Sequence, residues 1–197
     1  MTTPVIHPSQ EAFSQQFNRG ISQVVWTSRP ADLDTPVSAM LRLMDESTPG
    51  FLLESVEKGE IRGRYSVIGL MPDLIWRCHG NKAEIAYSDA MDEESFRPCE
   101  EGSLDAFRSL FESSSIELPE GLPPMSAGLV GYMGYDMVRL MEQLPDHKKP
   151  ALGIPDSCFI RPKLMVIFDN VSDTMFIITT IWADPKRDDA KAAYDAA

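Results

Sequence analysis

Residues 163–169 read KLMVIFD and residues 174–182 read TMFIITTIW, with only the polar turn N-V-S-D between them. Neither run alternates apolar with polar. Both are apolar on both sides, so each has the pattern of a central strand covered above and below. A chain holding such a hairpin must build layers around a sheet. The other elements mix hairpins with separate helices, so the predicted fold is α+β: a largely antiparallel β-sheet or sandwich with peripheral helices. At 197 residues and 43% apolar content, the chain is long enough for one sizeable core.

The punctuation between the strands is readable. Ser9 suits an N-cap, Phe13 and Phe17 lie one turn apart, and Gly20 is a stop, which predicts a helix over 9–20 followed by a strand over 21–27. Thr35 and Pro36 are an N-cap and a first helical residue. Val37, Met40, Leu41 and Met44 then fall at i, i+3, i+4 and i+7, predicting one buried stripe. Pro49-Gly50 turns the chain into a strand beginning at Phe51. Strands are predicted over 65–70 and 127–133, and a hairpin from 74–78 and 83–87 around Gly80-Asn81. A helix over 103–111 should turn Leu104, Phe107 and Phe111 inward. Another, from about Tyr135, should bury Met137, Leu140, Met141 and Leu144. Residues 1–183 read as one domain, and 184–197, DPKRDDAKAAYDAA, as the opening of a linker or helix leading onward.

Charge and cysteine usage remove several function classes. A formal charge of −12, without a local Lys/Arg cluster, argues against phosphate-backbone binding. Apolar runs stop far short of the roughly 20 residues of a membrane helix, and residues 1–20 lack the apolar core of a signal peptide. A cytoplasmic protein is expected. Cys78, Cys99 and Cys158 are odd in number and far apart, as are His7, His79 and His147, which predicts reduced thiols and no self-contained metal site.

Candidate chemistry is sparse. G-L-V-G-Y-M-G-Y-D (128–136) sits between strand and helix, the context of a phosphate cradle, yet its glycine spacing fits neither nucleotide fingerprint. Close backbone approach explains those glycines better. Asp92, Glu93 and Glu94 lie in an acidic surface stretch with nothing apolar to raise a pKa, and no G-x-S-x-G elbow occurs. The remaining feature is L-L-E-S at 52–55. Glu54 and Ser55 together can hold an ammonium and a carboxylate, although by spacing alone a serine bonding local backbone is the commoner meaning.

Several stretches, taken together and in order, resemble one family. D-L-D-T-P-V-S-A-M-L-R-L (32–43), F-L-L-E-S-V (51–56), G-R-Y-S-V-I-G (63–69), G-L-V-G-Y-M-G-Y-D (128–136) and I-P-D-S…K-L-M-V-I-F-D (154–169) are similar to the amino-terminal region of anthranilate synthase component I. The resemblance implies a lyase that makes anthranilate and pyruvate from chorismate, the first step of tryptophan biosynthesis. It implies ammonia from a separate glutamine amidotransferase subunit, component II, and Mg²⁺ with chorismate in a carboxyl-terminal domain beyond Ala197. This chain alone is then expected to be inactive. The resemblance also implies part of an L-tryptophan feedback site, with Ser55 matching the family's serine, Leu53 and Glu54 lining the pocket, and Arg64 bordering it. The aminodeoxychorismate-forming relatives share this architecture, and a stand-alone amino-acid-binding module is a further alternative. Leu52, Val67 and Ile68 are expected in the pocket or the core.

Overall fold

The computed structural model describes residues 4–44, 49–57, 61–87, 93–145, 153–184 and 189–197, with the side chains of 55–57, 61–62 and 93 outside that set. In chain order the elements are α1 (Gln10–Phe17), β1 (Gln23–Pro30), α2 (Pro36–Leu43), β2 (Phe51–Glu57), β3 (Ile61–His79), β4 (Lys82–Ala86), β5 (Arg97–Pro98), α3 (Ser103–Ser113), β6 (Val130–Met133), β7 (Ser157–Asp169), β8 (Thr174–Ile181) and α4 (Ala190–Asp195). Single 3₁₀ turns occupy Glu93–Ser95 and Tyr135–Leu140.

These elements form two compact units. The first comprises Met1–Met71, Ile116–Ala127 and Pro162–Ala197, and the second Pro72–Ser115 and Gly128–Arg161. Both long strands, β3 and β7, pass from one unit to the other at an X-Pro step, Met71-Pro72 and Arg161-Pro162.

In the first unit the strand order is β1-β8-β7-β3, with β2 beside β3. β7 and β8 pair antiparallel from Asp169↔Thr174 to Leu164↔Thr179, and β1 pairs antiparallel with β8. The two apolar runs are interior strands, as their composition requires. One face carries Ile68, Leu70, Val166, Phe168 and Met175 against Ala39 of α2. The other carries Val24, Val67, Met165, Ile167 and Ile178. Both faces are therefore used. α1 is capped by Ser9, and its Phe13 and Phe17 are fully buried beside Val25 and Ala190.

The second unit continues β3 into β4 and β5 on one side and pairs β6 with the start of β7. Its core gathers Leu74, Trp76, Cys78, Ala83, Ala106, Leu110 and Met137. Three rings, Trp76, Phe107 and Phe159, meet there, with centroids 4.5–6.3 Å apart.

Several faces differ from expectation. α2 begins as predicted, with Thr35 and Ser38 forming a reciprocal cap ahead of Pro36. However, it buries Pro36 and the small Ala39, while Met40 is half-buried and Val37, Met44 and especially Leu41 (79%) are exposed. An eight-residue helix lying close on a sheet contacts it through its smallest side chain, so the stripe of larger residues is displaced outward. In α3, Leu104 and Phe107 do pack inward, but Ala106 and Leu110 take the centre and Phe111 is exposed. The predicted helix from Tyr135 is one 3₁₀ stretch, so only Met137 is buried, and Met141 and Leu144 are exposed.

Candidate functional site

The L-L-E-S segment is the first half of β2, paired antiparallel with β3 in the register Phe51↔Gly69, Leu52↔Ile68, Leu53↔Val67 and Glu54↔Ser66. Steric fit sets this register. A Cβ on Gly69 would lie 2.2 Å from a ring carbon of Phe51, so the ring crosses the strand where β3 has no side chain. Leu52 packs with Ile68 and Leu70, and Val67 joins the opposite face. Val67 and Ile68 are therefore core residues, and Leu52 packs partly buried against the core.

Beyond that point the strand offers side chains to solvent. Leu53 is 52% exposed and Glu54 is exposed beside it. The register then slips between Glu54 and Val56, which places Ser55 at a bulge. Bulges re-aim side chains at functional edges. The side chain of Ser55 itself lies outside the described residues.

Arg64 is held rather than free. Its Nη2 donates to Asp169 Oδ2 at 3.0 Å and its Nε lies 3.3 Å from both carboxylate oxygens. Its guanidinium carbon stands 4.8 Å from the centre of the Tyr65 ring. Asn170 pins the same stretch of β3, its backbone N–H donating to the Arg64 carbonyl and its amide to the Gly63 carbonyl, both at 2.8 Å. Asp169 is 5% exposed and also accepts from the Val171 N–H at 3.0 Å. Burial pushes its carboxyl up, but the hydrogen bonds from Arg64 and Val171 and the Arg64 charge together hold it below the usual carboxylate value. Asp169 and Asn170 were absent from the sequence reading of this site. They lie more than 100 residues from their partners, and no motif or period in one sequence links them.

The Asp169 shift has a consequence for stability. A carboxyl with a lowered folded pKa stabilises the fold fully above its unfolded pKa, about 3.9, and loses that contribution as pH falls through the folded value. Urea unfolding of the chain should therefore show a drop in midpoint below about pH 4, which Asp169→Asn makes shallower. An identical acid slope in the variant would exclude Asp169 as its source.

The other candidates resolve structurally. In the glycine-rich piece, a Cβ on Gly131 would sit 2.0 Å from the Cys158 carbonyl oxygen. Close strand approach therefore accounts for Gly131. Cys78, Cys99 and Cys158 are free thiols, and burial foremost pushes all three above the ordinary thiol value, away from nucleophilic use. Among the described residues, no group of three or more His, Cys, Asp or Glu stands where it could hold a metal ion. Among them, too, no helix is long and apolar enough to cross a membrane. Asp92 lies outside the described residues.

Comparison with known proteins gives a consistent result. The chain is 45% identical over 186 residues, 94% of its length, to anthranilate synthase component 1 of Cereibacter sphaeroides. It is 32% identical over 82% of its length to that of Thermus thermophilus, and 31% over 96% to that of Synechocystis. It spans 37%, 32% and 37% of those relatives, about a third of their length. No family model matches. The crystal structure of anthranilate synthase component I from Streptococcus pneumoniae has the same fold over 84% of this chain and 33% of that one, with a TM-score of 0.53 at 20% identity.

Proposed function

Because the chain is homologous to anthranilate synthase component I over about a third of that protein's length, we propose that it is the regulatory part of such an enzyme's large subunit and carries part of an L-tryptophan feedback site. In this reading residues 1–183 form the regulatory domain, and 184–197 lead toward a catalytic domain. That domain would supply the chorismate and Mg²⁺ ligands and turn over chorismate with ammonia to anthranilate and pyruvate in the cytoplasm. The relatives' designation as component 1 supports a numbered partner, proposed here to be the glutamine amidotransferase.

The observation that carries the proposal is the open end of β2. There Leu53 and Glu54 are exposed, directly after the partly buried Phe51 and Leu52 and next to the bulge at Ser55. Leu53 offers apolar surface to an indole ring, the Glu54 carboxylate attracts an ammonium, and a serine hydroxyl both donates and accepts. Arg64, proposed to border the pocket, lies on the neighbouring strand β3 and is held by Asp169 of β7. Inhibition then follows if tryptophan binds one arrangement of the full-length enzyme better than the one that takes chorismate.

Ser55→Phe in the full-length enzyme should abolish tryptophan inhibition and leave uninhibited turnover intact. The check is an inhibition curve on parent and variant. Unchanged tryptophan sensitivity would remove Ser55 from the site.

A further inference from the structure

The first unit contains a cavity that the β2 edge does not involve, and we propose that it is a binding site for a small amphipathic monocarboxylate lacking an amino group. It lies under α2 and has a volume of about 250 Å³. Its apolar part is formed by Leu164 and Val166 of β7, Met175 and Ile177 of β8, and Ala39 and Leu43 of α2. An apolar cavity of about 150 Å³ accommodates benzene, so this one has room for an aromatic or branched body of about ten non-hydrogen atoms.

The polar part selects the headgroup. Asp34 accepts from Arg42 Nη1 at 2.8 Å and from Arg29 Nη2 at 3.1 Å, one arginine on each carboxylate oxygen. Its side chain is 14% exposed, against 57% and 70% for the two arginines. Each guanidinium has five N–H donors and gives one to Asp34, so donors suited to a planar carboxylate remain on both. Two arginines and one aspartate sum to a single positive charge, which one carboxylate neutralises and a dianionic phosphate overcompensates. An α-amino acid is disfavoured for a separate reason. Each oxygen of Asp34 already accepts from an arginine, so an ammonium would have to share the lining's single carboxylate with two guanidinium groups that repel it. The cavity is thus chemically unlike the β2 edge, where a free glutamate faces solvent. A residual packing gap beneath a short helix is the competing explanation, and such a gap has no preference among headgroups.

Methyl NMR of the chain titrated with hydrocinnamate distinguishes the two. Saturable shifts should appear at the methyl groups of Leu164, Val166, Met175 and Ile177. Phenylalanine and hydrocinnamyl alcohol, with the same ring, should bind about tenfold more weakly, the factor expected for one charge-assisted hydrogen bond. The double variant Arg29→Gln, Arg42→Gln should weaken hydrocinnamate by at least about the same factor. Asp34→Asn keeps both arginines, removes the competing carboxylate and should tighten binding, so the proposal is testable even if the double variant fails to fold. No saturable shift up to about 10 mM, a concentration that detects even very weak complexes, would overturn it. So would equal binding of phenylalanine or the alcohol, or unchanged binding in Arg29→Gln, Arg42→Gln with no tightening in Asp34→Asn.

Discussion

Gly131→Ala should cost the second unit about 3 kcal/mol or more, the upper limit of ordinary overpacking. The usual relief is closed. A built Cβ at this position lies 2.0 Å from the Cys158 carbonyl oxygen and 2.6 Å from the Phe159 Cα, both backbone atoms. A crowded side chain can change rotamer, but here the two strands themselves must separate. That breaks the register Val130↔Ile160 to Met133↔Ser157, and with it the hydrogen bond from the Ser157 hydroxyl to the Tyr132 carbonyl. Hydrogen exchange is the direct readout: amides of β6 and the start of β7 should lose protection in the variant, alongside a lowered denaturation midpoint. A midpoint within about 0.5 kcal/mol of the parent, the range of neutral surface changes, would mean that the strand pair can open without cost. The result bears on function, because it separates a glycine kept for backbone contact from one kept to cradle an anion.

What the sequence made legible was whatever depends on local chemistry or on uninterrupted composition. Ser9 and Thr35 mark helix starts because a hydroxyl accepting from a first-turn N–H is a local event. The 163–182 hairpin is legible because strands covered on both faces leave no polar alternation. The long strands were less so. Met71-Pro72 reads as a break between two strands, yet β3 runs on from Ile61 to His79, with Met71 at a φ of +52° absorbing the irregularity. Arg161-Pro162 conceals the early start of β7 in the same way. The facing of α2 was not legible at all. Periodicity identifies an apolar stripe through Val37, Leu41 and Met44, but whether a short helix meets its sheet through that stripe or through Ala39 depends on how closely the two approach.

The candidate site divides along the same line. Glu54 was singled out by its chemistry and Leu53 by resemblance, and both are found exposed in succession on β2, on opposite faces of the strand. The Arg64–Asp169 pair was not foreseeable, because it depends on β3 and β7 lying next to each other. Knowing Arg64 alone suggests a free cation for a ligand. Knowing its partner makes it a fixed post, whose charge is already balanced by a buried carboxylate.

Trp76→Ala should cost about 3–5 kcal/mol, the range for truncating a fully buried aromatic residue. The side chain is 0% exposed at the centre of the second unit's core, with the Phe107 ring 5.3 Å and the Phe159 ring 6.3 Å away. Its removal therefore leaves a cavity and also breaks two ring contacts. Trp76→Phe should behave very differently. Among the described residues the buried indole Nε1–H finds no oxygen or nitrogen acceptor and has only the weak acceptor sulfur of Cys99 as a neighbour, so the native residue bears part of a desolvation cost of about 1–3 kcal/mol that phenylalanine does not have. Loss of the second ring and relief of the poorly satisfied donor act in opposite directions, and the phenylalanine variant should lose less than half of what the alanine variant loses. Denaturation of both variants, followed by far-UV circular dichroism, measures the ratio. If Trp76→Phe proves nearly as damaging as Trp76→Ala, the indole nitrogen is contributing a contact, and the core of the second unit is held by a polar interaction there as well as by ring packing.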